Sequence, residues 1–283
     1  MSGIITFQAT HDRRPMTQPA SIEVRLARTT AEIDAAQRLR YQVFFQEWGA
    51  RADAACHARG RDSDAFDPLM EHLIVIDHNR SPAKGQVVGN YRLLRRDRIG
   101  AGGRFYSSSE FDLTPLLDSG ASLLELGRSC VLPEYRNQHV LRLLWEAIAG
   151  YVADHRIGLM FGCASLRGTD PGALREQLSY LHHYHLAPPP LRPRAVGATR
   201  VDMDLMDRSA IDPRHARALL EPIIKGYLRV GAGIGEGAYV DHQFHSVDVC
   251  IVMPTAQLAR RYRNHFERVL QRPLVAAPMD AAA

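Results

Sequence analysis

Apolar positions recur along this chain with two periods, and the places where one period gives way to the other predict its elements. Ile22 to Leu26 reads as a strand, and Thr29 or Thr30 then caps a helix whose stripe Ile33, Ala36, Leu39 and Val43 has helical spacing and which ends near Trp48 and Gly49. A polar, acidic stretch with Asp62, Asp64 and Asp67 predicts a loop. Two strands follow, Leu73 to Asp77 and Val87 to Leu94, joined by an Asn, Pro and Gly region that suits a hairpin. Next come a strand from Leu123 to Leu132, an amphipathic helix from about Asn137 to His155, a strand from Leu159 to Ala164 and a helix from Pro171 to about His183. Beyond the proline-rich connection Ala187 to Pro193, a strand Thr199 to Leu205, a helix opened by Pro213, a turn in Gly231 to Gly237, a strand Val247 to Met253 and a closing helix Gln257 to Gln271 are predicted. Strands alternating with helices predict an α/β fold.

The 283 residues, 46% hydrophobic and 23% charged, are enough to bury a full core, which we assign to one domain over 21–275 between loose segments at 1–20 and 276–283. No apolar run nears the roughly eighteen residues that span a bilayer, and residues 1–20 lack a signal-peptide pattern, so a cytoplasmic location is expected. Cys56, Cys130, Cys163 and Cys250 are far apart without a C-x-x-C, which suggests neither a zinc cage nor a disulfide framework. The net charge is +4, and all but Lys84 and Lys225 of the 35 basic residues are arginines. Guanidinium forks suit carboxylates and phosphates, so the expected partners are acidic: carrier protein, anionic lipid or nucleic acid.

Chemistry concentrates in Leu123-Leu-Glu-Leu-Gly-Arg-Ser-Cys-Val. Core strands rarely carry ionisable side chains, because desolvation without a partner costs several kcal/mol. Glu125 and Arg128 therefore point to a site. Three residues apart on a flat strand they would face opposite sides, and Gly127 between them marks a candidate bulge.

Where that strand runs into its helix, Val131-Leu-Pro-Glu-Tyr-Arg-Asn-Gln-His-Val-Leu resembles the acyl-thioester-binding segment of the GCN5-related N-acetyltransferase fold, which implies a three-layer α/β/α architecture around a mixed sheet. By that resemblance Val131, Arg136, Asn137 and Gln138 would hold the donor's phosphate at a helix N-terminus. His139 and Leu141 stand where the family has small residues. Their bulk would obstruct the pyrophosphate of coenzyme A yet admit the single phosphate of a phosphopantetheine, so acyl carrier protein is the expected donor and no tightly bound cofactor is expected.

From Arg40 to Arg128 the chain also resembles the acyl-homoserine-lactone synthases of this fold: Arg40, Phe44 and Trp48 on the first helix, the acidic triplet Asp62, Asp64 and Asp67, Arg92 before Leu-Leu, and the pair Glu125 and Arg128. Over nearly its whole length, including Pro222-Ile-Ile-Lys-Gly-Tyr-Leu-Arg-Val-Gly-Ala and Asp241 with Phe244 ahead of Asp248-Val-Cys-Ile, it resembles the haemolysin-like branch of the superfamily, and within it the enzymes that acylate the α-amino group of L-ornithine. That resemblance implies transfer of a 3-hydroxyacyl chain from acyl carrier protein to ornithine, giving lyso-ornithine lipid, and no role with nucleic acid. Glu125 would be the base, the Asp62 triplet would hold the side-chain ammonium, and Arg40 and Arg92 would bind a carboxylate or brace the acidic loop. The alternatives are a lactone synthase using S-adenosylmethionine and a non-catalytic relative at the membrane surface.

Two further signals are discounted, and a third has two readings. His72 and Asp77 bracket a strand at an odd offset and should face opposite ways. His182, His183 and His185 have no ligand cluster at matching spacing, so no metal is expected. The apolar stripe Leu258, Tyr262, Phe266 and Val269 suits core packing, with arginines beside it that would also suit an anionic membrane at the inner face of the cytoplasmic membrane.

Overall fold

A computed structural model describes residues 21–274; the segments 1–20 and 276–283, expected to be loose, lie outside the described residues. Strands Ile22–Leu26, Glu71–Asp77, Val87–Arg95 and Leu123–Val131 form a continuous antiparallel run, and Leu159–Arg167 then joins Leu123–Val131 in parallel. Ser246–Pro254 and Ala238–Asp241 extend the sheet antiparallel beyond it. The sheet is mixed and carries helices on both sides.

Alternation along the central strand sorts these two faces. Leu124 and Leu126 join a core with Val140, Leu144 and Ile148 of the helix Gln138–Asp154, whereas Leu123 joins a second core with Phe105, Phe111 and Phe161. Each fully buried aliphatic or aromatic side chain contributes roughly 1.5–3 kcal/mol, so both faces are strongly committed. Glu125 shares the second face with Leu123 by the period of two.

Caps explain where the helices begin. Thr29 accepts from the backbone of Glu32 and Glu32 returns the bond, a capping box that starts Thr30–Tyr41. Asn137 caps Gln138–Asp154 through Val140. The first helix departs from the expected single helix reaching Trp48: after Tyr41 it widens into a π-helical turn, Gln42–Glu47, in which Trp48 N–H reaches back to Val43 O at 3.0 Å. Within the expected acidic loop Asp53 caps a short helix, Ala54–Arg59, closed by Gly60 in the left-handed conformation.

The second half differs more. The strand expected over Thr199 to Leu205 shrinks to Arg200–Val201, and Pro222 ends the helix Pro213–Leu219 and opens another, Pro222–Val230. The glycine-rich turn contains a short strand, Gly233–Ile234, paired with Ile251 and Val252. Glycine is needed because a Cβ at Gly233 would come within 2.8 Å of Ala187 Cα and one at Gly235 within 2.9 Å of Pro193 O. The proline-rich connection therefore packs directly on this strand.

Candidate active site

The parallel ladder between Leu123–Val131 and Leu159–Arg167 stops at Glu125 and Phe161, although both strands continue. At its end the two backbones meet so closely that a Cβ on Gly162 would lie 2.1 Å from Leu126 O. Past this contact no ladder joins them. The sheet forks there, and Glu125 sits at the apex.

A bulge sets the orientation of Arg128. Asn90 pairs with Cys130 but Arg92 pairs with Gly127, so Leu123–Val131 carries one extra residue, and Arg128 takes a left-handed φ of 48°. Asn90, fully buried, donates from Nδ2 to Arg128 O at 3.0 Å and pins the distortion. The extra residue turns the Arg128 side chain onto the face of Glu125, where its guanidinium lies 4.8 Å from the Tyr106 ring centre and 4.2 Å from that of Phe244. Such a φ on a non-glycine residue costs on the order of 1–3 kcal/mol and persists only where the surroundings hold it.

Arg40, Arg92 and Arg128 meet Asp62, Asp64 and Asp67 in one buried network. Arg40 donates from Nε to Asp62 Oδ2 at 2.8 Å and from Nη2 to Asp67 at 2.9 Å, and Arg92 donates to Asp64 at 2.7 Å and Asp67 at 3.1 Å. Arg128 Nε stands 3.3 Å from Asp62 and Nη2 3.7 Å from Asp64, near enough to attract, yet Nε has no hydrogen-bond partner. Burial would raise the Asp64 carboxyl, but Arg92 and Arg128 outweigh it and hold it down at about 2; Asp62 is likewise held low by Arg128 and Arg40 against its burial. Three guanidiniums thus balance three carboxylates. Arg40 and Arg92 brace the acidic loop, while Arg92 Nε and Asp64 Oδ2 are buried without hydrogen-bond partners. His72 packs against the same network while Asp77 accepts from Tyr135 Oη at 2.6 Å, so the two part as expected.

Phe44 and Trp48 stand edge to face at 5.3 Å, and Phe44 meets Phe244, the ring against Arg128, at 5.9 Å. Trp48 is part-exposed and carries Arg167 over its ring. At the helix start, Arg136 forms two 2.6 Å bonds with Glu47 and donates to Val131 O, Asn137 uses its side chain as the cap, and Gln138 is the first helical residue. The basic side chain expected to meet a phosphate is engaged with Glu47 here.

Glu125 is 1% exposed, and its two oxygens accept from the backbone N–H groups of Tyr106 and Ser107 at 2.8 and 2.7 Å. Burial pushes its carboxyl up against the pull of those donors. Each oxygen keeps a second lone pair. The same bonds suspend the loop that carries Glu110, whose Oε2 accepts from Cys163 Sγ at 3.1 Å; that thiol also lies 3.3 Å from Ser107 Oγ.

Sequence reasoning misses Glu110. Burial and the neighbouring Asp248 push it up to about 8, and burial with Asp241 pushes Asp248 up to about 6. Asp248 sits opposite Ser165, on the same face as Cys163. Asp241 and Asp248 belong to a segment that carries the family resemblance; Glu110, in Ser-Ser-Ser-Glu-Phe, has no pattern that marks it. His182 and His183 do have a carboxylate beside them, Asp204, which lies 3.0 Å from His183 at an exposed position.

An acetyltransferase (GNAT) domain model matches residues 39–146. The L-ornithine N(alpha)-acyltransferase of Rhodobacter capsulatus is 47% identical over 88% of this chain and 96% of its own length, and that of Agrobacterium fabrum is 44% identical over 87% and 85%. Among solved structures, an N-acyl amino acid synthase from uncultured soil microbes superposes with a TM-score of 0.48 at 10% identity, covering 84% of this chain and 93% of that one.

Proposed function

This chain belongs to the L-ornithine N(alpha)-acyltransferase family, and from that premise we propose that it transfers a 3-hydroxyacyl chain from the phosphopantetheine thioester of acyl carrier protein to the α-amino group of L-ornithine, giving lyso-ornithine lipid. The observation that carries the reading is the forked sheet with Glu125 at its apex, and Arg128 set by the bulge against Tyr106, whose backbone N–H donates to Glu125. A thioester laid in the fork would present its carbonyl to unpaired backbone, and the neutral amine attacks that carbon. A C–N bond forms and the C–S bond breaks.

Model α-amino groups titrate at about 7.7–8.0, so a buried carboxylate with a raised pKa is a suitable acceptor for the proton the ammonium must lose. We assign that proton to Glu125, directly or through one water; the second proton, shed by the nitrogen as the amide forms, goes to the departing thiolate, and Glu125 releases its own to solvent. Arg128 Nε, buried without a hydrogen-bond partner, is the candidate for the ornithine carboxylate. Phe44 and Trp48 would wall the acceptor side. The donor phosphate would meet the N-terminus of Gln138–Asp154, with Arg136 released from Glu47 to join it and Val131 lying alongside.

Among the described residues no helix is long and apolar enough to cross a membrane. Arg260, Arg261, Arg263 and Arg268 on the helix Arg260–Leu270, beside the exposed Val269, would suit peripheral contact with anionic lipid or the acidic carrier protein. The test is turnover of purified protein with a hydroxyacyl carrier protein and ornithine, read by mass spectrometry of the product. Glu125→Gln should lower kcat about 100-fold or more while acyl-carrier binding persists. Near-normal turnover would remove Glu125 from the mechanism; an acyl lactone made from S-adenosylmethionine would remove ornithine.

A further inference from the structure

Carboxylate oxygens of Glu110, Asp241 and Asp248 lie within 4.8 Å of one another on the face of the sheet that holds Glu125. Unlike the Asp62 triplet, none of the three has an ion-pair partner within 4.0 Å among the described residues. Asp248 is 4% exposed, and its Oδ1 has no hydrogen-bond partner; Ser246 Oγ, two residues back on the same face, is also buried without one. Asp241 is half-buried, which leaves the cluster a side open to solvent, and its Oδ1 is fixed by the N–H groups of Gln243 and Phe244. Buried acceptors left unpaired are costly, and three carboxylates together call for a cation.

An ammonium offers three N–H donors, one for each of three carboxylates whose oxygens lie within 4.8 Å of one another. Connectivity places this subsite beside the reacting centre. Ser107 donates its N–H to Glu125, and the Cys163 thiol bridges the Ser107 hydroxyl and Glu110.

Resting on the function proposed above, we propose that Glu110, Asp241 and Asp248 form the subsite for the primary ammonium at the end of the acceptor's side chain, and so select ornithine over amino acids of the same length without that charge. Glu125 takes the α-amino end and this cluster the other, three methylenes away. The test compares kcat/KM for ornithine and for 2-aminopentanoate, which lacks only the terminal amine, with a hydroxyacyl carrier protein as donor.

The native enzyme should prefer ornithine about 100-fold or more, and Asp248→Asn should cut that preference at least 10-fold, mainly through the KM for ornithine. Asp241→Asn, at a half-buried position where folding is safe, should cut it in the same sense. A general structural defect lowers both rates together and leaves their ratio intact, so an unchanged ratio in both variants overturns the assignment. Calcium binding that is lost in Asp248→Asn, with the preference unchanged, also overturns it and makes the cluster a metal site. If the native enzyme acylates neither amino acid but does acylate another amine, the ornithine reading itself has failed.

Discussion

Replacing Arg40 by Met isolates what the buried Arg–Asp network contributes. Arg40 is fully buried and bonds to Asp62 and Asp67, themselves 3% and 7% exposed, so the substitution keeps an unbranched apolar stem while removing the guanidinium and stranding two carboxylates. Removing one partner of a buried pair costs about 3–5 kcal/mol. Asp62 retains Arg128 at 3.3 Å and Asp67 retains Arg92 at 3.1 Å, which places this case near the lower end, about 3 kcal/mol. Urea unfolding at pH 7, with an unchanged m-value, should report it. The dependence on pH carries the sign. Asp62 and Asp64 are held below their ordinary range, so in the native protein their contribution is present above the unfolded pKa near 4 and is lost as pH falls through the folded values, which for Asp64 means about 2. In Arg40→Met the stranded Asp62 carboxylate takes up its proton earlier and is relieved, so the gap between the two proteins should narrow from pH 7 to pH 3.5. A loss under 1 kcal/mol at pH 7, or a gap that does not change with pH, would refute the network as a stabilising unit.

The second carboxylate cluster predicts the opposite sign. Glu110 is raised in the folded state, so the stability it contributes is full below the unfolded pKa and drains away as pH rises through about 8. Glu110→Gln should therefore be more stable than the native ligand-free protein at pH 8.5, by about 2 kcal/mol, and level with it at pH 4.5. That gain is less than half of what a carboxyl displaced from 4.5 to about 8 would give at about 1.4 kcal/mol per pH unit, because relaxation and water entry around the charged form recover the rest. Equal differences at both pH values would contradict this. At the fork, Gly162→Ala would drive a Cβ into the Leu126 carbonyl and should cost more than about 3 kcal/mol or prevent folding, whereas Gly226→Ala, in an open helix position, should gain about 0.5–1 kcal/mol. Comparable melting of the two variants would show that the fork tolerates separation.

Much of this was legible in the sequence because its cause is local. The two periods mark the strands and the long helix, and the capping residues Thr29 and Asn137 mark where two helices begin. Charge inside an apolar run marks the candidate site, and Gly127 marks the bulge region. What escaped was decided at a distance. That Gly231 to Gly237 includes a strand depends on the approach of Ala187 and Pro193, some forty residues earlier, and nothing in the glycines themselves reveals it. The π-helical turn after Tyr41 leaves no mark on the hydrophobic stripe either.

The two acidic clusters show why residue type alone could not divide their roles. Asp62, Asp64 and Asp67 look like a cation site because they are adjacent, yet their arginines come from a helix and two strands that converge only in the fold, and the convergence cancels their charge. Glu110, Asp241 and Asp248 look unremarked because they are scattered, yet the sheet brings them together where no described cation lies within ion-pair distance. Net local charge after folding, and not acidic density along the chain, is what a substrate ammonium senses. An acceptor with two amines needs one held charged and the other deprotonated, and the proposed assignment separates those environments: unmatched carboxylates would meet one end and the single buried Glu125 the other. A site organised this way should reject ornithine whose side-chain amine is acetylated about as strongly as it rejects 2-aminopentanoate, because both present the cluster with no charge; equal use of acetylated and free ornithine would show that the terminal amine is not read.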